Sequence, residues 1–253
     1  MPVVEQTVDE RGVVWLTINR PRTRNALNSE VMFCLRAEIQ ALIEPGNARA
    51  LVICGSGGSF SSGRDLKEAE TMPLPEASKQ HEAWADVFRA LHQLPIPSIA
   101  IVEGHAVAGG FTLAMGCNFV LAERSAKFGA LEMQSGFPAA VCTPILARLA
   151  QPRIGLELAM FGDTVSAERL YEVGLVNELA DGSDALAERV RAFTDKIVNL
   201  APLAIKQTLE TFRATELMPM EQGLTMGMHL NQLLDASGSF AKGGERLRNK
   251  KEQ

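Results

Sequence analysis

Three short segments of the sequence hold residues suited to chemistry. Residues 55–66, GSGGSFSSGRDL, form a loop of small residues after an apolar run, and such a loop can turn backbone N–H groups towards a ligand oxygen. Residues 104–112, GHAVAGGFT, place a Gly-Gly pair at the start of an apolar helix, whose N-terminus offers free N–H donors. In residues 128–133, FGALEM, Glu132 lies among apolar neighbours, where burial would raise its pKa and suit it to carry a proton. Each segment alone is also compatible with a plain turn, tight strand–helix packing or a surface glutamate.

The first segment matches two nucleotide-binding motifs only in part. In a P-loop, Asp65 would stand at the serine or threonine position, where it would repel phosphate and leave magnesium without its hydroxyl ligand. A dinucleotide-binding G-x-G-x-x-G fails because Phe60 occupies the third glycine position. The four cysteines and four histidines form neither a C-x-x-C pair nor an H-E-x-x-H motif. We therefore expect no nucleotide triphosphate, dinucleotide or metal site.

The composition excludes several classes of protein. Of the 253 residues, 46% are hydrophobic and 22% charged, which allows a sizeable core and excludes a mainly disordered chain. Lys and Arg total 25 against 30 Asp and Glu, so the net charge of −5 gives no general attraction to nucleic acid. No apolar run reaches about 18 residues, the length of a membrane span. The N-terminus lacks the pattern of a secretory signal, so we expect a cytoplasmic protein with reduced cysteines.

Alternating strand and helix patterns separate the three segments. Apolar runs rich in β-branched residues predict strands at 12–19, 50–54 and 98–102. Helical spacing of apolar residues predicts helices after a cap at Asn28 or Ser29, at 76–92 and near 111–117. This alternation is typical of an α/β fold.

Helical patterns dominate the last third of the chain. Helices are predicted over 186–197, from Pro202 to about Phe212, and over 216–234. The Asp181-Gly182-Ser183 turn is the expected boundary between a core region, 1–182, and a helical region, 183–253.

Taken together and in order, the segments resemble motifs of the enoyl-CoA hydratase/isomerase (crotonase) superfamily over nearly the whole chain. The matching stretches are NRPRTRNALN (19–28), FSSGRDLKE (60–68), IPSIAIVEGHAVAGGFTLA (96–114), SAKFGALEM (125–133), GLVNEL (174–179) and GSFAKGGERL (238–247). The resemblance implies a crotonase (ClpP-like) spiral of ββα units, followed by a C-terminal helical region that packs homotrimers. Two such trimers can stack into a hexamer.

The resemblance also implies an acyl-CoA thioester as the ligand. Coenzyme A is then part of the substrate, and no metal or redox cofactor is needed. By motif position, substrate contacts are expected from Arg24, Ala26, Leu27, Ser62, Gly63, Asp65, Leu66, Gly110 and Thr112. Arg24 is placed to face a phosphate of coenzyme A, as its charge suggests. We expect no nucleic-acid or membrane partner.

The chemistry shared by the superfamily is stabilisation of a thioester enolate. By motif position, the backbone N–H groups of Arg64 and Gly109 hold the oxygen as it gains negative charge. Hydratases of the superfamily use two glutamates, and here Thr112 stands at the first position and Glu132 at the second. A threonine hydroxyl can orient water but cannot act as a carboxylate base, whereas isomerases of the superfamily can work with the second acid alone. We therefore favour Δ3-to-Δ2 enoyl-CoA isomerisation, in which Glu132 carries a proton from C2 to C4.

Two alternatives remain open. One is an enoyl-CoA hydratase that uses Glu132 and a water molecule oriented by Thr112. The other is an acyl-CoA-binding subunit without turnover. The chain also departs from hydratases after Pro138, where Ala-Ala-Val-Cys replaces a Gly-x-Gly-Gly stretch, and this departure changes the lining of the acyl pocket.

Overall fold

The computed structural model describes residues 1–44 and 46–238. The chain divides into two compact units between Ile205 and Lys206. The functional boundary expected at residue 182 stays a prediction. The motif match over 238–247 lies outside the described residues beyond Gly238.

Strands and helices alternate along the larger unit. The strands are β1 (Val4–Val8), β2 (Val13–Ile18), β3 (Ala50–Gly55), β4 (Ser98–Val102), β5 (His105–Val107), β6 (Phe119–Glu123), β7 (Lys127–Gly129), β8 (Val165–Ser166) and β9 (Glu178–Ala180). The helices are α1 (Ser29–Ala41), α2 (Leu66–Thr71), α3 (Leu74–Gln93), α4 (Gly109–Gly116), α5 (Cys142–Leu149), α6 (Pro152–Phe161), α7 (Ala167–Glu172), α8 (Ser183–Val198), α9 (Pro202–Thr215) and α10 (Met220–Ala236). Short 3-10 helices cover Pro21–Thr23 and Leu131–Ser135.

Two sheets organise this unit. The first has the strand order β1-β2-β3-β4-β6-β9, with β1 antiparallel to β2 and every other neighbouring pair parallel. The second has the order β5-β7-β8, in which β5 and β7 run parallel. The α/β class predicted from the alternation is therefore confirmed.

The central strands are continuous apolar runs because helices cover both faces of the large sheet. On one face, Leu16, Leu51 and Ala100 belong to a core that also contains buried residues of α1, α3 and α4. On the other face, Val52 and Ile99 pack in a second core with Leu186, Val190 and Ile197 of α8. The strand ends that lead into the loops at 55–66 and 103–109 are thus held between two apolar layers.

Most predicted elements are confirmed, and one boundary is wrong. The three predicted strands correspond to β2, β3 and β4, and α1 is capped by Asn28, whose side chain accepts a hydrogen bond from the Val31 N–H at 3.0 Å. The helix predicted to start at residue 216 starts at Met220 instead, because Pro219 has no N–H and occupies the cap position.

The smaller unit contains most of α9 and the whole of α10 within its described part. The two helices approach each other at Gly223, where an added Cβ would lie 3.3 Å from Cγ2 of Thr215. Among the residues with described structure, no helix is long and apolar enough to cross a membrane.

Candidate functional site

The loop after β3 is held by backbone pairing on two sides. Ser61 donates its N–H to the His105 carbonyl at 2.8 Å and accepts from the Val107 N–H at 3.1 Å. Leu27 donates its N–H to the Gly63 carbonyl at 2.8 Å, and its carbonyl accepts from the Asp65 N–H at 3.0 Å. Leu27 thus bonds to the residues on either side of Arg64 in a parallel bridge, which turns the Arg64 N–H away from Leu27.

A buried asparagine fixes the start of this loop. The side-chain amide of Asn25 donates to the carbonyls of Ser56 and Ser59, at 2.9 Å and 2.6 Å, and its Oδ1 accepts from the Arg20 N–H at 2.8 Å. Asn25 is fully buried and has a φ of 57°, which asparagine tolerates better than most residues. Asn25 was not among the predicted site residues, although it lies within the 19–28 motif.

The second loop presents Gly109 at the start of α4. Ala108 precedes it with φ 49° and ψ −124°, a strained conformation held by a 2.7 Å hydrogen bond from the Ala108 N–H to the Gly129 carbonyl. As the first residue of the helix, Gly109 has no intrahelical acceptor for its N–H. The helix end therefore directs a free donor out of the second loop.

The two donors lie side by side. A Cβ added at Gly109 would be 3.6 Å from the Arg64 nitrogen, and one added at Gly63 would be 2.9 Å from the Gly109 nitrogen. Within residues 1–44 and 46–238, neither N–H has a hydrogen-bond acceptor. Two adjacent, unpaired N–H groups are the arrangement that binds a carbonyl oxygen as it acquires negative charge.

These donors face a cavity of about 400 Å³. Six of the predicted site residues line it: Ser62, Arg64, Leu66, Gly109, Thr112 and Glu132. The lining also includes Ala140, Val141 and Cys142 of the stretch after Pro138, which the sequence indicated. Residues that the sequence did not single out also line it, chiefly Met32, Gln80, His81, Trp84 and Phe137. Gln80 and Trp84 are four residues apart on α3 and therefore share one helix face, a spacing visible in the sequence.

Glu132 is the carboxyl group of this cavity. Its Oε2 is buried and has no hydrogen-bond partner in the described part of the chain, and burial raises the pKa of the carboxyl group above its ordinary value. Thr112 is buried nearby, and its hydroxyl donates to the Ala108 carbonyl at 3.3 Å. Burial raises the pKa of Cys142 to about 12, with a smaller contribution from the charge of Glu132, so this thiol stays protonated. Among the described lining residues, Glu132 is thus the one carboxyl group suited to take up a proton.

The remaining predicted residues lie outside the cavity lining. Arg24 is exposed with φ 51°, whereas Ala26 and Leu27 are buried beside the first loop. Gly63 has φ 85° and packs against the second loop, and Gly110 packs against the Ser61 carbonyl.

Asp65 is also outside the lining and forms an ion pair with Arg20 at 2.9 Å. This pair ties the start of α2 to the 19–28 segment. Substrate contacts at these six positions stay predictions.

A larger open cavity of about 790 Å³ lies on the opposite face of the sheet, against α8. Of its two arginines, Arg11 and Arg191, the first is already bound by the carboxylates of Asp9 and Asp195, each at 2.6 Å. The described lining of this cavity contains none of the predicted site residues. We therefore place the candidate site in the smaller cavity.

Comparison with known proteins bears on the family of the chain. The family model described as enoyl-CoA hydratase/isomerase matches residues 9–252. A carnitinyl-CoA dehydratase of Salmonella typhi is 33% identical over 213 residues, which are 83% of this chain and 80% of that protein. A crotonyl-CoA hydratase of Syntrophomonas wolfei subsp. wolfei is 32% identical over 199 residues, covering 78% and 76% of the two chains.

The fold is also similar to that of a solved structure. The crystal structure of an enoyl-CoA hydratase from Mycobacterium smegmatis superposes with a TM-score of 0.87 at 30% identity, covering 96% of this chain and 97% of that one. The predicted crotonase fold is thereby confirmed. The chain belongs to the enoyl-CoA hydratase/isomerase family of the crotonase superfamily, and it is an enzyme of that superfamily.

Proposed function

We propose that the protein isomerises Δ3-enoyl-CoA thioesters to the Δ2 form. The observation that carries the proposal is a cavity in which, among the described lining residues, Glu132 is the one carboxyl group and faces a site with two free N–H donors. Thr112 occupies the position at which hydratases of the superfamily carry the other of their two glutamates.

In this reaction Glu132 removes a proton from C2 of the acyl chain. The electron pair moves into the thioester, and the N–H groups of Arg64 and Gly109 donate to the oxygen as it becomes negative. Glu132 then returns the proton at C4, and the double bond moves to C2–C3. Each oxyanion donor contributes about 10²–10³ in rate, and the raised pKa of Glu132 strengthens it as a base.

The proposed step balances without water or an external oxidant. It needs no metal or redox cofactor, since the proton that leaves C2 is the one that reaches C4. Coenzyme A enters only as part of the substrate. Arg24 is the proposed contact for one of its phosphates, because its side chain is exposed beside the first loop.

The test follows 3-hexenoyl-CoA in deuterated water by chromatography and mass spectrometry. Wild-type protein should form 2-hexenoyl-CoA, and Glu132→Gln should lose about 10²-fold or more of this rate. Glu82→Gln removes an exposed carboxyl group of α3 and serves as the matched control. Full activity of Glu132→Gln would overturn the assignment of the proton carrier.

Hydration of a 2-enoyl-CoA is the second candidate. Two of the relatives named above are a hydratase and a dehydratase, which favours water as a reactant. In that reaction Glu132 would activate a water molecule positioned by the Thr112 hydroxyl. Stereospecific 3-hydroxyacyl-CoA formed from the 2-enoyl thioester would favour this candidate. Binding of acyl-CoA without either product would instead indicate a subunit without turnover.

We also propose that the protein assembles as a homotrimer or as a dimer of trimers. Large apolar side chains are exposed on α9, on α10 and in the turn between them, namely Phe212, Leu217, Leu224 and Leu233. Exposed apolar surface of this kind is typical of an interface between subunits. Sedimentation of the full chain at micromolar concentration tests the assembly, and a monomer would contradict it.

The proposed location of the reaction is the cytoplasm. All four cysteines are free thiols, as expected in a reducing compartment.

A further inference from the structure

We propose that the side chain of Arg64 selects acyl groups that carry a carboxylate at the end remote from the thioester. This inference rests on the proposed function to the extent that the acyl group of an acyl-CoA enters the cavity. It assigns Arg64 a second role, in which the guanidinium sets substrate choice while the backbone N–H serves the thioester oxygen.

Arg64 lines the cavity, and its guanidinium has no partner within the described part of the chain. Its Nε is buried and makes no hydrogen bond, and within the described residues the side chain forms no ion pair. The nearest carboxylates in sequence are already engaged elsewhere. Asp65 pairs with Arg20 at 2.9 Å, and Glu68 accepts from the Ser29 N–H at 2.9 Å.

Glu68 also accepts a 3.0 Å hydrogen bond from Nε2 of Gln80, a fully buried residue of α3. These hydrogen bonds engage the Glu68 carboxylate, so neither Asp65 nor Glu68 compensates the charge of Arg64.

The guanidinium faces the α3 side of the cavity. The charge of Arg64 contributes to a lowered pKa of His81 on α3, after the larger effect of burial, whereas it does not contribute to the shifted pKa of Glu132. Arg64, His81 and Trp84 line the same cavity as Glu132. A substrate whose C2 reaches Glu132 would extend its distal carbons towards Arg64, Trp84 and His81.

An acyl group with a carboxylate satisfies this arrangement, and a hydrocarbon does not. Arginine presents a planar fork of donors that binds a carboxylate bidentately, and such charge-assisted hydrogen bonds are stronger than neutral ones. A purely apolar chain would instead cover the terminal nitrogens of the guanidinium without offering them an acceptor, which is unfavourable. The same side chain therefore favours one class of acyl group and disfavours the other.

The experiment measures binding of two saturated thioesters of equal length, adipoyl-CoA and hexanoyl-CoA, by calorimetry. Wild-type protein should bind adipoyl-CoA about 10- to 100-fold more tightly, as one charge-assisted pair implies. Arg64→Gln keeps the backbone N–H and should bring the two dissociation constants within about threefold of each other. Arg64→Lys keeps the charge without the fork and should retain part of the preference.

Arg24→Gln is the matched control, because it removes a cation outside the cavity lining. It should weaken both thioesters by the same factor and leave their ratio as in wild type. Thermal unfolding of each variant verifies that it is folded.

Two outcomes would overturn the inference. If Arg64→Gln weakened both thioesters equally, Arg64 would bind a phosphate of coenzyme A. If wild-type protein bound both thioesters equally, the guanidinium would be no more than a solvated cation. Neither saturated thioester has a double bond, so the result is independent of the isomerase proposal. Loss of isomerisation with the preference retained would refute only the proposed function.

Discussion

Replacing Gly63 by alanine places a methyl group between the two loops that carry the oxyanion donors. The added Cβ would lie 2.7 Å from Cβ of Ala108, 2.8 Å from the Val107 carbonyl oxygen and 2.9 Å from the nitrogen of Gly109. Two of these three atoms belong to the backbone and cannot be moved by rotating a side chain. The second loop must therefore shift, and the Gly109 N–H shifts with it.

Two destabilising effects add in the Gly63→Ala variant. The φ of Gly63 is 85°, and an L-residue held at positive φ is destabilised by roughly 1–2 kcal/mol. Overpacking against the second loop adds about 1–3 kcal/mol, so unfolding free energy should fall by about 2–5 kcal/mol. Misplacement of one oxyanion donor should lower the rate by about 10²-fold.

Gly58→Ala separates the effect of positive φ from the effect of overpacking. Gly58 lies in the same loop with φ 73°, but a Cβ added there meets no atom within 4 Å. This variant should lose only the roughly 1–2 kcal/mol due to positive φ and keep its activity within a few-fold of wild type.

The assay for both variants is exchange of the C2 hydrogens of hexanoyl-CoA for deuterium, which reports enolate formation whether the protein isomerises or hydrates. Urea unfolding gives the stabilities on the same samples. Equal losses of exchange rate in Gly63→Ala and Gly58→Ala would refute the argument that the contact at Gly109 orients the donor.

Four further predictions concern other residues of the site. The rate of isomerisation should rise with pH through a pKa above the ordinary 4.5 of glutamate, because Glu132 acts as a carboxylate, and a pH–rate profile measures this. The same raised pKa means that ionised Glu132 destabilises the folded protein. Glu132→Gln should therefore raise the unfolding free energy at neutral pH, and this gain should disappear below pH 4.5. Urea unfolding at several pH values measures both effects. Asn25→Ala leaves the Ser56 and Ser59 carbonyls unpaired and should lower the unfolding free energy by about 3 kcal/mol or more, measured by urea unfolding. Thr112→Val should reduce isomerisation less than about fivefold but hydration much more, since only hydration uses an oriented water, and parallel assays on 3-enoyl and 2-enoyl thioesters compare the two.

The parts of the fold that could be predicted from sequence are those fixed by local patterns. β3 and β4 are short apolar runs because both of their faces are covered, and α1 shows its cap at Asn28 and its apolar spacing directly in the sequence. β1 was missed because three of its five residues are exposed, so burial imposes no apolar pattern on them. The helix predicted over 216–234 includes Pro219, whereas α10 begins after this residue.

The candidate site could be predicted only in part, because its lining depends on contacts between distant segments. Motif position indicated Arg64, Gly109 and Glu132, and the structure brings all three to one cavity or its edge. Motif position does not show that Asp65 pairs with Arg20, 45 residues away, or that α3 supplies the opposite side of the cavity. Whether Arg64 is compensated by a carboxylate is decided by these distant contacts, and no local pattern encodes it.

The proton carrier and one oxyanion donor are positioned through a single peptide group. The Gly129 carbonyl accepts the Ala108 N–H at 2.7 Å, so it orients the residue that precedes the Gly109 donor. Glu132 follows Gly129 by three residues, in the 3-10 helix that begins at Leu131. A displacement of β7 would therefore carry Glu132 and the Gly109 N–H in the same direction. The Arg64 donor depends in addition on the two backbone hydrogen bonds of Leu27, so loss of these bonds would displace the Arg64 N–H while the bond from Ala108 to Gly129 stays in place.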